Sequence, residues 1–341
     1  MILADPTDLV RTTSPPAEDW HAAMRTAVRD PVQLCRILQL PPEFEADAIR
    51  ASLEFPLFAP RNYIARMRMG DPHDPLLRQV LPLRDELDDL RGFTRDPVGD
   101  IPSKRADGLL QKYQGRVLII TTGACAVHCR YCFRRHFPYS DSPPTLSRWK
   151  RVITGILEDD SIEEVILSGG DPLTLVDSQL GHLADLVAEV PHVRRLRIHT
   201  RLPIIIPQRV TGALIDWLTG TRLVPIVVVH ANHARELDAE VQSSLSAMAG
   251  SGILLLNQTV LLRGVNDDAD SLVELSRRLL DCRVAPYYLH QLDRVAGAAH
   301  FETPVEQGLA LIEQMRARLP GYGVPRYVRE IPGEASKRVL A

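Results

Sequence analysis

Three of the chain's five cysteines fall inside one eight-residue stretch, Cys125-Ala-Val-His-Cys129-Arg-Tyr-Cys132, spaced C-x3-C-x2-C. Three thiolates on one short loop can bind three irons of a four-iron cubane and leave the fourth open to a small molecule. Clusters that only carry electrons normally take four cysteines. The spacing therefore points to an iron–sulfur cluster whose open iron does chemistry. A competing reading is structural zinc, with His128 or His136 as a fourth ligand. Zinc knuckles usually come in pairs, however, and no second CxxC-like pair exists in the sequence. Cys35 and Cys282 stand alone and read as ordinary buried thiols.

Such a loop needs a scaffold, and the sequence around it supplies one. From Arg116 onward, short β-branched runs alternate with amphipathic segments. Strands are predicted at 117–122, 164–167, 195–199, 225–229, 253–260 and 285–289. Helices are predicted near 146–158, 178–189, 211–219, 234–250, 268–281 and 305–318. Alternation of this kind implies parallel βαβ units with strands buried on both faces. The predicted fold class is α/β, a partial (β/α)6 barrel with a helical N-terminal region. Polar residues follow every strand: Cys125, then Ser168-Gly169-Gly170-Asp171, His199-Thr-Arg201, His230-Ala-Asn232-His233, Asn257-Gln258, and His290-Gln-Leu-Asp293. In β/α barrels the active site lies at the C-terminal face of the strands. A single histidine there would be read as a satisfied buried residue; six strands delivering polar groups to one face argue for a site.

The first hundred residues read differently. Short helices are expected at 17–28, 31–40, 46–53 and 75–89, punctuated by proline. Asp30 before Pro31 and Asp74 before Pro75 read as N-caps followed by proline at the first helical position. The expected organisation is a helical region over 1–105, a barrel over 106–325 and a C-terminal segment over 326–341. The composition, 45% hydrophobic and 24% charged, is that of a soluble globular protein, and a net charge of −3 gives no electrostatic case for nucleic acid or a membrane surface. No signal peptide and no apolar run long enough to span a bilayer is read. Unpaired cysteines without a secretory signal favour a reducing cytoplasm.

The cysteine loop at the end of a barrel's first strand, with Tyr131 beside the last cysteine, resembles the radical S-adenosylmethionine superfamily. The resemblance implies a [4Fe–4S] cluster on Cys125, Cys129 and Cys132. Its open iron would bind the amino and carboxylate groups of S-adenosylmethionine, whose cleavage yields a 5′-deoxyadenosyl radical. The turn Ser168-Gly169-Gly170-Asp171 is similar to that superfamily's glycine-rich turn near the methionyl amine, where glycine permits close backbone approach. His230, Asn257 and Gln258 would line the adenosyl side.

A narrower resemblance rests on Phe133-Arg134-Arg135, on His199-Thr-Arg-Leu-Pro-Ile-Ile-Ile-Pro-Gln-Arg209, on Tyr287-Tyr-Leu-His-Gln-Leu-Asp293 and on Arg329-Glu330-Ile-Pro-Gly333-Glu-Ala-Ser-Lys337. Together these are similar to lysine 2,3-aminomutases. Read alone, Lys337 would be a solvated tail lysine. The resemblance makes it the Schiff-base lysine for pyridoxal 5′-phosphate, because an imine lets a neighbouring radical attack the migrating nitrogen. A radical enzyme without pyridoxal phosphate is the alternative. By the same resemblance Arg116 contacts the phosphate, Arg134 the substrate α-carboxylate, and Asp293 the distant ammonium of L-lysine.

Enzymes that act on free lysine carry a second aspartate seven residues before that lysine; here Glu330 stands there, which places it in the substrate site with a longer reach. This departure, the phrase Gly333-Glu-Ala-Ser-Lys337 and a chain ending four residues later resemble a shorter branch, the elongation factor P (R)-β-lysylation proteins. The implied function is conversion of (S)-α-lysine to (R)-β-lysine, which a lysyl-tRNA-synthetase-like ligase attaches to elongation factor P. An electron donor such as flavodoxin or ferredoxin is implied. The alternatives are an aminomutase supplying free β-lysine to metabolism and, in another class, a zinc-stabilised binding protein.

Overall fold

The computed structural model describes residues 19–141 and 145–341, the side chain of Asp141 aside. Runs such as Val117-Leu-Ile-Ile and Val227-Val-Val have no polar side to turn toward water, so they are stable only between two covering layers. They lie in one sheet whose order follows the chain: β1 (Lys104–Ala106), β2 (Leu109–Leu110), β3 (Arg116–Thr122), β4 (Glu164–Gly169), β5 (Arg195–Thr200), β6 (Val224–Val229), β7 (Leu254–Val260), β8 (Ala285–His290), β9 (Arg326–Arg329) and β10 (Arg338–Val339). Every pairing from β3 to β9 is parallel. The pairings β1–β2, β2–β3 and β9–β10 are antiparallel. The outermost strands of the sheet are β1 and β10.

The helices are α1 (Trp20–Arg25), α2 (Pro31–Ile37), α3 (Glu43–Glu54) and α4 (Arg61–Ile64) in the N-terminal layer. They continue with α5 (Leu146–Leu157), α6 (Asp177–Ala188), α7 (Leu202–Ile205), α8 (Gly212–Thr219), α9 (Ala239–Gly250), α10 (Ala269–Asp281) and α11 (Val305–Arg316) between the strands. Asp30 caps α2 by accepting from the Val32 N–H at 2.9 Å, as its position before Pro31 predicts. Thr145, Thr211, Asp238 and Asp268 cap α5, α8, α9 and α10 through side-chain oxygens, and the leading strand-to-helix loops are thereby fixed. No helix among the described residues is long and apolar enough to cross a membrane.

Three expectations are corrected. Residues 75–89 form two 3-10 turns, Leu77–Gln79 and Arg84–Leu87, and no α-helix. Pro82 has no N–H to continue a helix, while Asp74 spends its carboxylate on Leu76, Leu77 and the distant Arg68 N–H. The helix expected at 234–250 starts only at Ala239, after a 3-10 turn held by the Glu236 carboxylate. Residues 326–329 are a seventh parallel strand, where the sequence predicts none. The part of the expected 17–28 helix before residue 19 lies outside the described residues.

Candidate active site

The cluster loop leaves β3 and turns back under the N-terminal layer. Arg130, between two of the cysteines, is fully buried and donates Nε and Nη2 to both oxygens of Glu86, at 2.8 and 2.6 Å. Arg135 joins the same carboxylate at 2.8 Å, and both guanidiniums stand over the Phe55 ring. The loop's backbone is tied to the same layer: the Arg130 N–H donates to Gln79 O and the His128 N–H to Phe58 O. Cys125, Cys129 and Cys132 are free thiols at partly exposed positions. His128 gives a ring nitrogen to the Pro56 carbonyl at 2.8 Å and His136 to the Ala296 carbonyl at 3.1 Å. Both candidate fourth zinc ligands are thus drawn to other backbone segments. Among the described residues, no three His, Cys, Asp or Glu side chains gather as a single-ion site.

The glycine turn after β4 serves this loop. Gly169 has φ +122°, and a Cβ on Gly170 would lie 2.3 Å from the Ala124 carbonyl oxygen. The Gly170 and Asp171 N–H groups donate to Thr122 O and Ala124 O, at 2.8 and 2.7 Å. The close approach that demands glycine is therefore to the cluster loop itself. Asp171 accepts from the Thr200 hydroxyl and from the N–H groups of Leu173, Arg201 and Leu202, at 2.7 to 3.1 Å. Burial still raises its pKa. Both oxygens are used inside the protein, and Asp171 thereby joins β4 to β5. Ser168 accepts from Arg134 Nη1 at 3.1 Å.

From Arg134 a line of alternating charge runs toward the C-terminal tail. Arg134 Nε donates to Asp100 Oδ2 at 2.6 Å, and Lys112 Nζ lies 2.7 Å from Asp100 Oδ1 and 3.8 Å from Glu330 Oε1. Glu330 also accepts from the Tyr113 hydroxyl at 2.6 Å and from Lys337 Nζ. Burial would raise the pKa of Asp100, but Arg134 and Lys112 outweigh it and hold the value near 2. The same contest, with Lys337 on the winning side, lowers the pKa of Glu330. Arg116 stands over the Tyr113 ring at 4.6 Å and has no acidic partner among the described residues. Asp293 differs: burial pushes its pKa up to about 7, against the opposing pull of Lys337.

The remaining strand ends divide into two groups. Asn257 is wholly buried and spends its amide on the Ala231 N–H and carbonyl and on the Thr259 hydroxyl, which ties β6 to β7. Gln258 Nε2 meets His290 Nε2 at 2.9 Å, and His230 stands edge-on to His199 with its own Nε2 buried and unpaired. Burial lowers the pKa of His199, His230 and His290, so the wall here is neutral imidazole at neutral pH. His199, His230 and Gln258 thus keep polar side-chain atoms without a hydrogen-bond partner among the described residues.

Sequence reasoning missed Asp100, Lys112, Tyr113, Glu86, Gln79 and Glu236. None belongs to a spaced motif. The one available signal was that Asp96, Asp100, Lys112 and Tyr113 crowd just ahead of β3.

Residues 119–275 match the Radical SAM superfamily. The chain is 42% identical over 333 residues to an L-lysine 2,3-aminomutase of Escherichia coli (strain K12), covering 97% of both proteins. It is 40% identical over 324 residues to that of Haemophilus influenzae, covering 95% of this chain and 96% of the other. Against the L-lysine 2,3-aminomutase of Clostridium subterminale the identity is 33% over 320 residues, 94% of this chain and 77% of the relative. Likeness of this degree along almost the whole length places the chain in the lysine 2,3-aminomutase family, radical S-adenosylmethionine isomerases whose chemistry starts from a [4Fe–4S] cluster and S-adenosylmethionine.

Proposed function

We propose that this protein converts (S)-α-lysine to (R)-β-lysine, with the cluster on Cys125, Cys129 and Cys132 and pyridoxal phosphate on Lys337. The observation that carries the reading is the charge line Arg134–Asp100–Lys112–Glu330–Lys337, which joins the cluster loop to the tail. It supplies a cation for a carboxylate at one end and acids for an ammonium at the other, the polarity of a zwitterion with a second amine. The tail end also fits pyridoxal phosphate: an unpaired guanidinium on Arg116, the flat ring of Tyr113 and the amine of Lys337 follow one another. Bound there, pyridoxal phosphate supplies the imine chemistry that lets an amino group migrate to a neighbouring carbon.

The chain's own residues would act as follows. Lys337 leaves Glu330 to hold the cofactor, and Glu330 is then free to share the substrate's distant ammonium with Asp293. Arg134 keeps Nη2 for the α-carboxylate, since Nε and Nη1 are committed to Asp100 and Ser168. Ser168, His230 and Gln258 face the S-adenosylmethionine side; Gly169, Gly170 and Asp171 shape the turn beneath it. The test is anaerobic incubation of reconstituted protein with lysine, S-adenosylmethionine, pyridoxal phosphate and a reductant. (R)-β-lysine is the expected product, with borohydride fixing a label on Lys337. Deoxyadenosine without β-lysine, or a label elsewhere, overturns the reading.

We further propose that the β-lysine serves elongation factor P, with a flavodoxin- or ferredoxin-type donor reducing the cluster. Glu330 and the Gly333-Glu-Ala-Ser-Lys337 phrase support this by their resemblance to the shorter branch. Turnover should accelerate when the ligase and elongation factor P are added. Equal turnover without them favours free β-lysine as the end product.

A further inference from the structure

Arg201, at the exit of β5, is 5% exposed. Its backbone N–H is fixed by Asp171 Oδ2 at 2.7 Å. Its Nη1 donates to Cys129 Sγ at 2.8 Å. Its Nη2 reaches Gln79 Oε1 at 2.5 Å, Glu236 Oε2 at 2.8 Å and the Tyr63 hydroxyl at 3.3 Å, and the guanidinium stands over the Tyr63 and Tyr131 rings. Glu236 is itself fully buried and held by Gln79 and by the Asn232 and His233 N–H groups. Burying a guanidinium is costly unless it is paired, and here the pairing is built so that one arm still points at a sulfur.

We propose that Arg201 raises the reduction potential of the cluster, as a positioning and tuning residue acting through the Cys129 sulfur. This rests on Cys129 being an iron ligand. One electron passes from a low-potential one-electron donor, which is oxidised, to the cluster, which goes from the 2+ to the 1+ state. No proton moves, because the guanidinium stays protonated. The added negative charge lies partly on the sulfurs. A fixed, buried cation 2.8 Å from one of them favours the reduced state. Glu236 offsets part of that field and so limits the shift.

The pair predicts effects of opposite sign. In anaerobically reconstituted Arg201→Gln the cluster should load, and its midpoint, read by redox titration with electron paramagnetic resonance, should move negative. The ratio of reduced to oxidised cluster at a fixed potential should fall about tenfold, equivalent to ~59 mV for a one-electron couple. Glu236→Gln, which leaves the cation unbalanced, should move the midpoint positive, and Arg201→Lys should restore most of the wild-type value. A double variant, Arg201→Met with Glu236→Gln, keeps the buried charge balanced where the single change fails to fold, and should also shift negative. Unchanged midpoints in these variants overturn the proposal, as does a folded Arg201→Gln that takes up no iron, since the role would then be assembly. Full iron in Cys129→Ala would instead refute the ligand assignment underneath.

Discussion

Arg130 in the cluster loop is fully buried and gives two nitrogens to Glu86, whereas Lys337 in the tail is a quarter exposed and holds Glu330 through a single amine. The loop is pinned by a second arginine, an aromatic ring and backbone bonds to the N-terminal layer. The tail returns on a two-residue ladder, β9 against β10, after a turn whose Gly333 has φ +84°. The difference follows the proposed chemistry. Cluster ligands must keep their spacing through a redox change, so they sit on a rigid support. A lysine that trades one bonding partner for another needs room to move, which a short exposed hairpin gives it.

The comparison can be broken most decisively at its two ends. Cys129→Ala should remove the iron and abolish cleavage of S-adenosylmethionine, as checked by iron content and deoxyadenosine yield. Lys337→Ala should abolish β-lysine formation while leaving iron content at the wild-type level. Loss of iron in Lys337→Ala would show that the two regions are not independent.

Intermediate effects separate support from function. Glu86→Gln strands two buried arginines and should destabilise the protein by about 3–5 kcal/mol, read by denaturant or thermal unfolding. Glu330→Gln should cost less than about 1 kcal/mol of stability, because Lys337 can turn to water, yet raise KM for lysine roughly tenfold, the size of one charge-assisted hydrogen bond. The stability gap between Glu330→Gln and wild type should close with acid. A carboxylate whose pKa is lowered in the folded state contributes above its unfolded value, and that contribution fades as pH falls through the folded one.

Asp293 sets a pH dependence of opposite origin. With its pKa raised to about 7, it is neutral below that pH and cannot attract an ammonium. The kcat/KM for lysine should climb as pH rises to about 7 and then level off, and Asp293→Asn should flatten the profile. The smallest effect is expected from Glu334→Ala, whose exposed pair with Arg338 should be worth under ~0.5 kcal/mol.

The cysteine spacing, the six central strands and the polar residue at each strand end were legible because they are local: a loop spacing, a period, a change of composition. Residues 75–89 were misread because helical periodicity is blind to Asp74 bonding Arg68 and to the missing donor at Pro82. Strand β9 has no signature in the sequence, being four residues beside a tail whose pairing with β8 is a long-range fact.

By itself, then, the sequence determined that three thiols share one loop at a barrel mouth and that Lys337 follows Glu330 by seven positions. Only the tertiary structure decided that Gly170 is glycine because the Ala124 carbonyl lies against it. Only it decided that Asp171 and Asn257 are spent on the scaffold, and that Asp100, Lys112 and Arg201 are the charges that count. The physical reason is that a buried charge is defined by its partners. Those partners lie 34 residues from Asp100 and 72 residues from Arg201, where no spacing rule reaches.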